Sequence, residues 1–176
     1  IVRIGAHRGQ DRLPARISEH FLLDENRMAF NCDMPKPADR SIFRLNIGRA
    51  LLNRAHDPYL GVWEINFIPK QNRERFRHLR DIDKERESER EVTRLLRSAF
   101  AFRVVAVDDA KLRRGSERSV VGTIAQCALC IPSPGWLGRH SPKDEIRDSG
   151  LWQVQYLEHQ ELDTEGMNVL EAAMGS

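Results

Sequence analysis

The sequence predicts an α/β (α+β) chain. Three observations carry that prediction: an apolar strand pattern at residues 1–5 followed at once by a helical period, a short alternating stretch at 61–69, and a second helix-to-strand succession ending at 102–107. A length of 176 residues suits one domain able to bury a core without disulfide or metal staples.

The first predicted strand, Ile1–Gly5, sets Ile1, Val2 and Ile4 around Arg3, and Ala6–Asp11 reads as its exit loop. From Arg12 to Leu23 the residues Leu13, Ile17 and Phe21 recur every four positions, with Pro14 tolerated in a first helical turn. Pro35 and Pro37 make Asn31–Asp39 a loop. A second helix follows, with Phe43, Ile47, Ala50 and Leu51 on its apolar face and Arg40, Arg44 and Arg49 on its flanks. Trp63, Ile65 and Phe67 alternate with Glu64 and Asn66, which predicts a strand between Gly61 and Pro69.

Residues Gln71–Arg90 are densely charged and almost without apolar side chains, which suits an exposed helix or a mobile connector. Helical period returns with Val92, Leu95, Leu96 and Ala99, and Phe102–Val107 then reads as a buried strand closed by Asp108 and Asp109. Val120, Val121, Ile124, Cys127 and Ala128 mark another helix, ended by Pro132 and the turn Ser133-Pro134-Gly135. A short last helix is punctuated by Ser141 as N-cap, Pro142 as first residue, Asp144 as returning cap partner and Gly150 as stop. The tail after Glu161 reads as loosely held.

Twenty-eight Lys+Arg against 26 Asp+Glu leave a formal charge of +2, so the chain is not strongly basic. The positive charge is nevertheless mostly arginine, whose planar fork suits bidentate grasp of phosphate. Most of these arginines are expected on solvated helix faces beside glutamates. Three cysteines, no signal-peptide pattern and no apolar run near about 18 residues point to a reduced, soluble, cytoplasmic setting with no membrane partner.

Two groups stand out chemically. Arg16 and His20, spaced i and i+4, project from one side of the first helix and can face one ligand together. Phosphodiester cleavage needs a cation for the charge on the phosphoryl oxygens and a proton carrier near neutral pH, and this pair supplies both. Cys127-x-x-Cys130 has a spacing that recurs in zinc sites, but a tetrahedral site needs two more ligands and no second such pair exists. Both cysteines read more simply as small residues on or near an apolar helix face.

The string Val2-Arg3-Ile4-Gly5, a loop, then Arg16-x-x-x-His20 resembles the second strand and first helix of the GIY-YIG nuclease superfamily. A bacterial branch is closer still, through Arg3-Ile4-Gly5-Ala6-His7, Ser41-Ile42-Phe43-Arg44-Leu45, Glu89-x-Glu91-Val92, Pro132-Ser133-Pro134-Gly135-Trp136-Leu137-Gly138 and Ser149-Gly150-Leu151-Trp152. The resemblance implies a small mixed or antiparallel sheet flanked by helices. It implies one domain over 1–176: a nuclease-like core at 1–109 with a charged insertion at about 55–88, and a helical extension at 110–176.

It also implies a DNA partner and a single divalent ion, Mg2+ by its taste for oxygen ligands and retained waters, held by a glutamate on a later helix. Glu89 is the choice for that ligand, with Glu91 as competitor, although Ser88-x-x-Glu91 is also a capping-box pattern. Arg16 and His20 take the catalytic roles, joined by His7, while Arg3, Arg40 and Arg44 are candidate phosphate contacts. The chain departs from the family at Arg3, which stands where a second tyrosine is usual, and at Gln153, Gln155 and Tyr156, where relatives carry asparagine and histidine. The family's opening strand and its first tyrosine are expected upstream of Ile1.

The leading expectation is a metal-dependent DNA endonuclease of restriction, genome-defence or DNA-processing type. A catalytically impaired DNA-binding module of the same fold is the alternative. A protein-interaction domain docking through Gln71–Arg90 is a second alternative.

Overall fold

In the computed structural model, which describes residues 3–6, 13–21, 30–107 and 109–174, helix follows helix along the chain. The helices are α1 (Leu13–Phe21), α2 (Ile42–Arg54), α3 (Leu60–Trp63), α4 (Lys70–Phe76), α5 (Ile82–Ala99), α6 (Ala110–Gln126), α7 (Asp144–Ser149) and α8 (Thr164–Met174), with short 3-10 turns at Pro37–Arg40, Arg77–Leu79 and Leu137–His140. None of the helices among the described residues is long and apolar enough to cross a membrane.

The expected small mixed or antiparallel sheet is corrected by this result: among the described residues there is no strand. Val2 and Ile1 of the first predicted strand lie outside the described residues, and residues 3–5 take no regular structure. Backbone hydrogen bonding gives the reason. Between Gly61 and Pro69 no neighbouring ladder forms: the N–H groups of Gly61 to Ile65 bond back to carbonyls three or four residues earlier, and the main-chain groups that follow meet side chains. Lys36 Nζ donates to the Ile65 carbonyl at 2.8 Å, the Phe67 N–H donates to Asp39 Oδ2 at 3.3 Å, and Arg73 Nη1 donates to the Phe67 carbonyl at 2.7 Å. Trp63 and Phe67 are buried as the alternation required, but Trp63 closes the single turn α3. The 102–107 segment is not a buried strand either, since Phe102 and Val104 are each about half exposed.

Two compact units divide the chain. One comprises Leu13–Ala101 with His140–Pro142 and holds α1 to α5; the other comprises Ile1–Arg12, Phe102–Arg139 and Lys143–Ser176 and holds α6 to α8. In the α1–α5 unit, Ser41 caps α2 by accepting the Arg44 N–H at 3.2 Å, and Phe43, Ile47 and Ala50 are buried from it as its period predicts. Gly48 lets α2 lie against Trp63, because a Cβ there would stand 2.2 Å from the indole. Trp63 Nε1 completes the contact by donating to the Leu45 carbonyl at 3.0 Å.

Helix α5 begins at Asp81, whose side chain accepts the Lys84 N–H at 3.0 Å, and Asp83 and Glu85 in its first turn suit the positive end of the helix. Its buried stripe runs Glu85, Ser88, Glu89, Val92, Thr93, Leu96, a full helical face that is ionic in its first half and apolar in its second. The charged stretch expected to be an exposed helix or connector therefore supplies part of the interior. Ser88 lies inside α5 and donates to the Lys84 carbonyl at 2.9 Å, so it caps nothing.

In the α6–α8 unit, Asp109 caps α6 through the Leu112 N–H, and Gly122 accommodates the His159 carbonyl, which a Cβ would meet at 2.2 Å. Trp136 and Trp152 pack with ring centroids 5.3 Å apart. Gly150 stops α7 in the left-handed region at φ 71°, as expected, whereas the N-cap is Lys143 and not Ser141. The tail expected to be loose carries α8.

Candidate active site

Helix α1 presents Arg16 and His20 to the residues that lead into α2. Arg16 Nη1 donates to the Arg40 carbonyl at 3.2 Å and to Glu19 Oε2 at 2.6 Å, and its side chain stays 42% exposed. One turn on, His20 Nδ1 and Ser41 Oγ share a hydrogen bond of 2.5 Å. The imidazole also meets Phe43 edge-on, with centroids 6.1 Å apart. The i, i+4 spacing thus places both side chains over the start of α2, beside the exposed Arg40.

From there the connections run inward. Arg44 Nη1 donates to the His20 carbonyl at 3.2 Å, Nε and Nη2 donate to Glu89 Oε2 at 3.1 and 2.7 Å, and Nη2 also reaches Thr93 Oγ1 at 2.7 Å. Arg44 and Glu89 are both fully buried. Every nitrogen of the guanidinium thus donates to a protein acceptor, and Arg44, expected among the phosphate contacts, lies inside. The other carboxylate oxygen of Glu89 accepts the Ala38 N–H at 2.6 Å. Arg16, His20, Arg40, Arg44 and Glu89 accordingly fall in one hydrogen-bonded group within the α1–α5 unit.

Two further ion pairs lie beside this one. Lys36 Nζ meets Asp39 at 2.6 Å and Arg80 Nη2 meets Glu85 at 2.6 Å, each partner 1% exposed. Lys36 and Arg80 both address the Phe67 ring, at 4.8 and 4.4 Å from its centroid. Three cations thus face three carboxylates, and the interior is charge-balanced. Burial pushes the carboxyls of Glu85 and Glu89 up from their ordinary range, opposed by their arginines, and pushes the Lys36 ammonium down, opposed chiefly by Asp39.

The divalent ion implied by the resemblance was expected on Glu89. A magnesium ion keeps several waters and needs an accessible oxygen, whereas both Glu89 oxygens are engaged by protein donors and the side chain reaches no solvent. As placed, the carboxylate does not fit a hydrated ion; its counter-charge is Arg44. No group of three or more His, Cys, Asp or Glu among the described residues could hold a metal. Glu91, the competing ligand, is on the surface and paired with Arg94, whose hydrogen bond holds its carboxyl below the usual range.

The remaining candidates are placed elsewhere. Arg3 belongs to the α6–α8 unit, where its Nη1 donates to the Trp152 carbonyl at 3.0 Å while the Ile4 N–H donates to Gln153 Oε1 at 2.9 Å. Gln153, one of the departures from the family pattern, thus fixes the chain next to Arg3. His7 lies outside the described residues. Sequence reasoning missed Lys36, Asp39, Arg80 and Glu85. A signal was present: extended backwards from Val92, the helical period of α5 passes through Glu89, Ser88 and Glu85.

Neither the curated proteins nor the solved structures contain a match to this chain. The family model described as the GIY-YIG domain matches residues 1–176 in full, so the chain belongs to the GIY-YIG family, a membership that implies nuclease-type processing of DNA.

Proposed function

We propose that this chain hydrolyses DNA phosphodiester bonds, engaging a phosphate through Arg16 and Arg40 and moving a proton through His20. The observation that supports the reading is the arrangement of α1 on the start of α2, with Arg16 on the Arg40 carbonyl and His20 on Ser41. A half-exposed guanidinium beside an exposed arginine can neutralise charge that builds on the phosphoryl oxygens. An imidazole within reach of the same phosphate can take the proton of an attacking water or return one to the departing oxygen. Glu89 acts in this reading as a positioning residue: it holds Arg44, and Arg44 holds the His20 carbonyl.

A second reading, a DNA-binding module of the same fold that does not cut, is favoured by one observation. The Glu89 carboxylate, expected to carry the family's divalent ion, is occupied by Arg44. Supercoiled plasmid nicking, with magnesium and with chelator, together with anisotropy of a labelled duplex, separates the two. Hydrolysis predicts nicking that Arg16→Ala and His20→Ala each abolish while the far-ultraviolet dichroism stays that of wild type. Arg40→Ala should weaken binding and reduce the salt slope by about 0.9, the loss of one phosphate contact. Binding without nicking establishes the second reading, and a folded chain that neither binds nor nicks overturns both.

A further inference from the structure

The turn that ends α6 carries a pair of thiols that the candidate active site does not use. Cys127 is the C-cap of α6, and the Cys130 N–H donates to the Cys127 carbonyl at 3.1 Å, closing a turn over Ala128 and Leu129. Such a turn holds the first and fourth Cα atoms within about 7 Å, and a disulfide needs Cα atoms about 4.4–6.8 Å apart. Both thiols are free, Cys130 is exposed and Cys127 partly so, and Leu129 and Ile131 beside them are 91% and 81% exposed, so the turn stands open to solvent. A metal would need further ligands, and no group of three or more metal-ligating side chains occurs among the described residues.

We propose that Cys127 and Cys130 form a vicinal dithiol that closes reversibly to an intramolecular disulfide in exchange with a low-molecular-weight disulfide. The Cys127 thiolate attacks one sulfur of the oxidant, forming a mixed disulfide and expelling one small thiolate. The Cys130 sulfur then attacks Cys127 Sγ, and the second small thiol departs. The protein loses two protons and two electrons, and one disulfide is reduced to two thiols. The neighbouring Cys130 thiol holds the Cys127 thiol below its ordinary range and so favours Cys127 as the first nucleophile. Closure would tie the end of α6 to the loop through Pro132, whose ring lies 3.0 Å from where a Cβ on Gly150 would stand.

The whole chain equilibrated with oxidised glutathione and then alkylated tests this. Wild type should fall from three alkylatable thiols to one, with an intact mass lower by two hydrogens and a peptide linking Cys127 to Cys130. Reduction should restore all three, and phenylarsine oxide should block the same two. Cys127→Ser and Cys130→Ser should each trap the remaining partner as a stable glutathione adduct. Three persistent thiols, an accumulating mixed disulfide in wild type, a bridge to Cys32, or stoichiometric protection of the pair by zinc would each overturn the proposal. DNA cleavage is not a readout, so the result is independent of the reading above.

Discussion

Replacing Arg44 by alanine should destabilise the chain more than any substitution on its surface. The guanidinium gives the Glu89 carboxylate two of its three hydrogen bonds and its counter-charge, and both side chains are fully buried. Without it a carboxylate remains in the interior with one backbone N–H for company, and the Thr93 hydroxyl and His20 carbonyl lose a donor. Breaking one side of such a pair costs about 3–5 kcal/mol, a large share of the roughly 5–15 kcal/mol that holds a domain folded. Adding Glu89→Gln to Arg44→Met keeps an acceptor for the Ala38 N–H and removes the stranded charge, so the double variant should recover about 2 kcal/mol or more of what Arg44→Met alone loses. Urea denaturation followed by dichroism measures both. An Arg44→Ala cost below about 1 kcal/mol, or strict additivity of the two substitutions, would refute the idea that the pair is a sealed ionic contact.

Three further outcomes are expected. Gly48→Ala should cost about 1–3 kcal/mol in the same assay through overpacking, because its Cβ would fall 2.2 Å from the Trp63 ring; an unchanged midpoint would show that α2 and α3 can part freely. Added Mg2+ should leave the wild-type thermal midpoint where chelator leaves it, since Glu89 is occupied, whereas a rise that follows magnesium concentration would show an accessible carboxylate site. The Asp57–Lys84 pair, at 2.7 Å, sets a pH window. Lys84 pulls the Asp57 carboxyl below 3.8, so its contribution is present above that value and lost as pH falls through the folded pKa; Asp57 lifts the Lys84 ammonium above 10.5, so its contribution is lost as pH rises beyond. Asp57→Asn should lower stability between the two limits and flatten the acid limb of a pH-dependent urea series.

The helices at Leu13–Phe21 and Ile42–Arg54 were legible because regular apolar spacing marks a face that must be covered. The stop at Gly150 was legible for a local reason, the positive φ that glycine takes without strain. Strands were misread where a two-residue alternation spanned only a few residues: Trp63, Ile65 and Phe67 have the right order, but nothing in that string reveals that Trp63 ends a helical turn or that Lys36 and Asp39 take up the Ile65 carbonyl and the Phe67 N–H. The same limit applied to the site. The Arg16–His20 pair follows from spacing, whereas the engagement of Glu89 by Arg44 depends on residues 45 positions apart. Composition misled most at Gln71–Arg90, because charge was equated with exposure while Arg80, Glu85 and Glu89 neutralise partners inside.

The amides of Ala38 and Phe67 each donate to a carboxylate far away in sequence, on Glu89 and Asp39. A helical amide can exchange by fraying of its own turn, but these two have no local partner to lose first. Their exchange with deuterium requires the ionic interior itself to come apart. The two sites should therefore slow and quicken together, and their common rate would report the opening of the α1–α5 unit at a place no helix probe reaches.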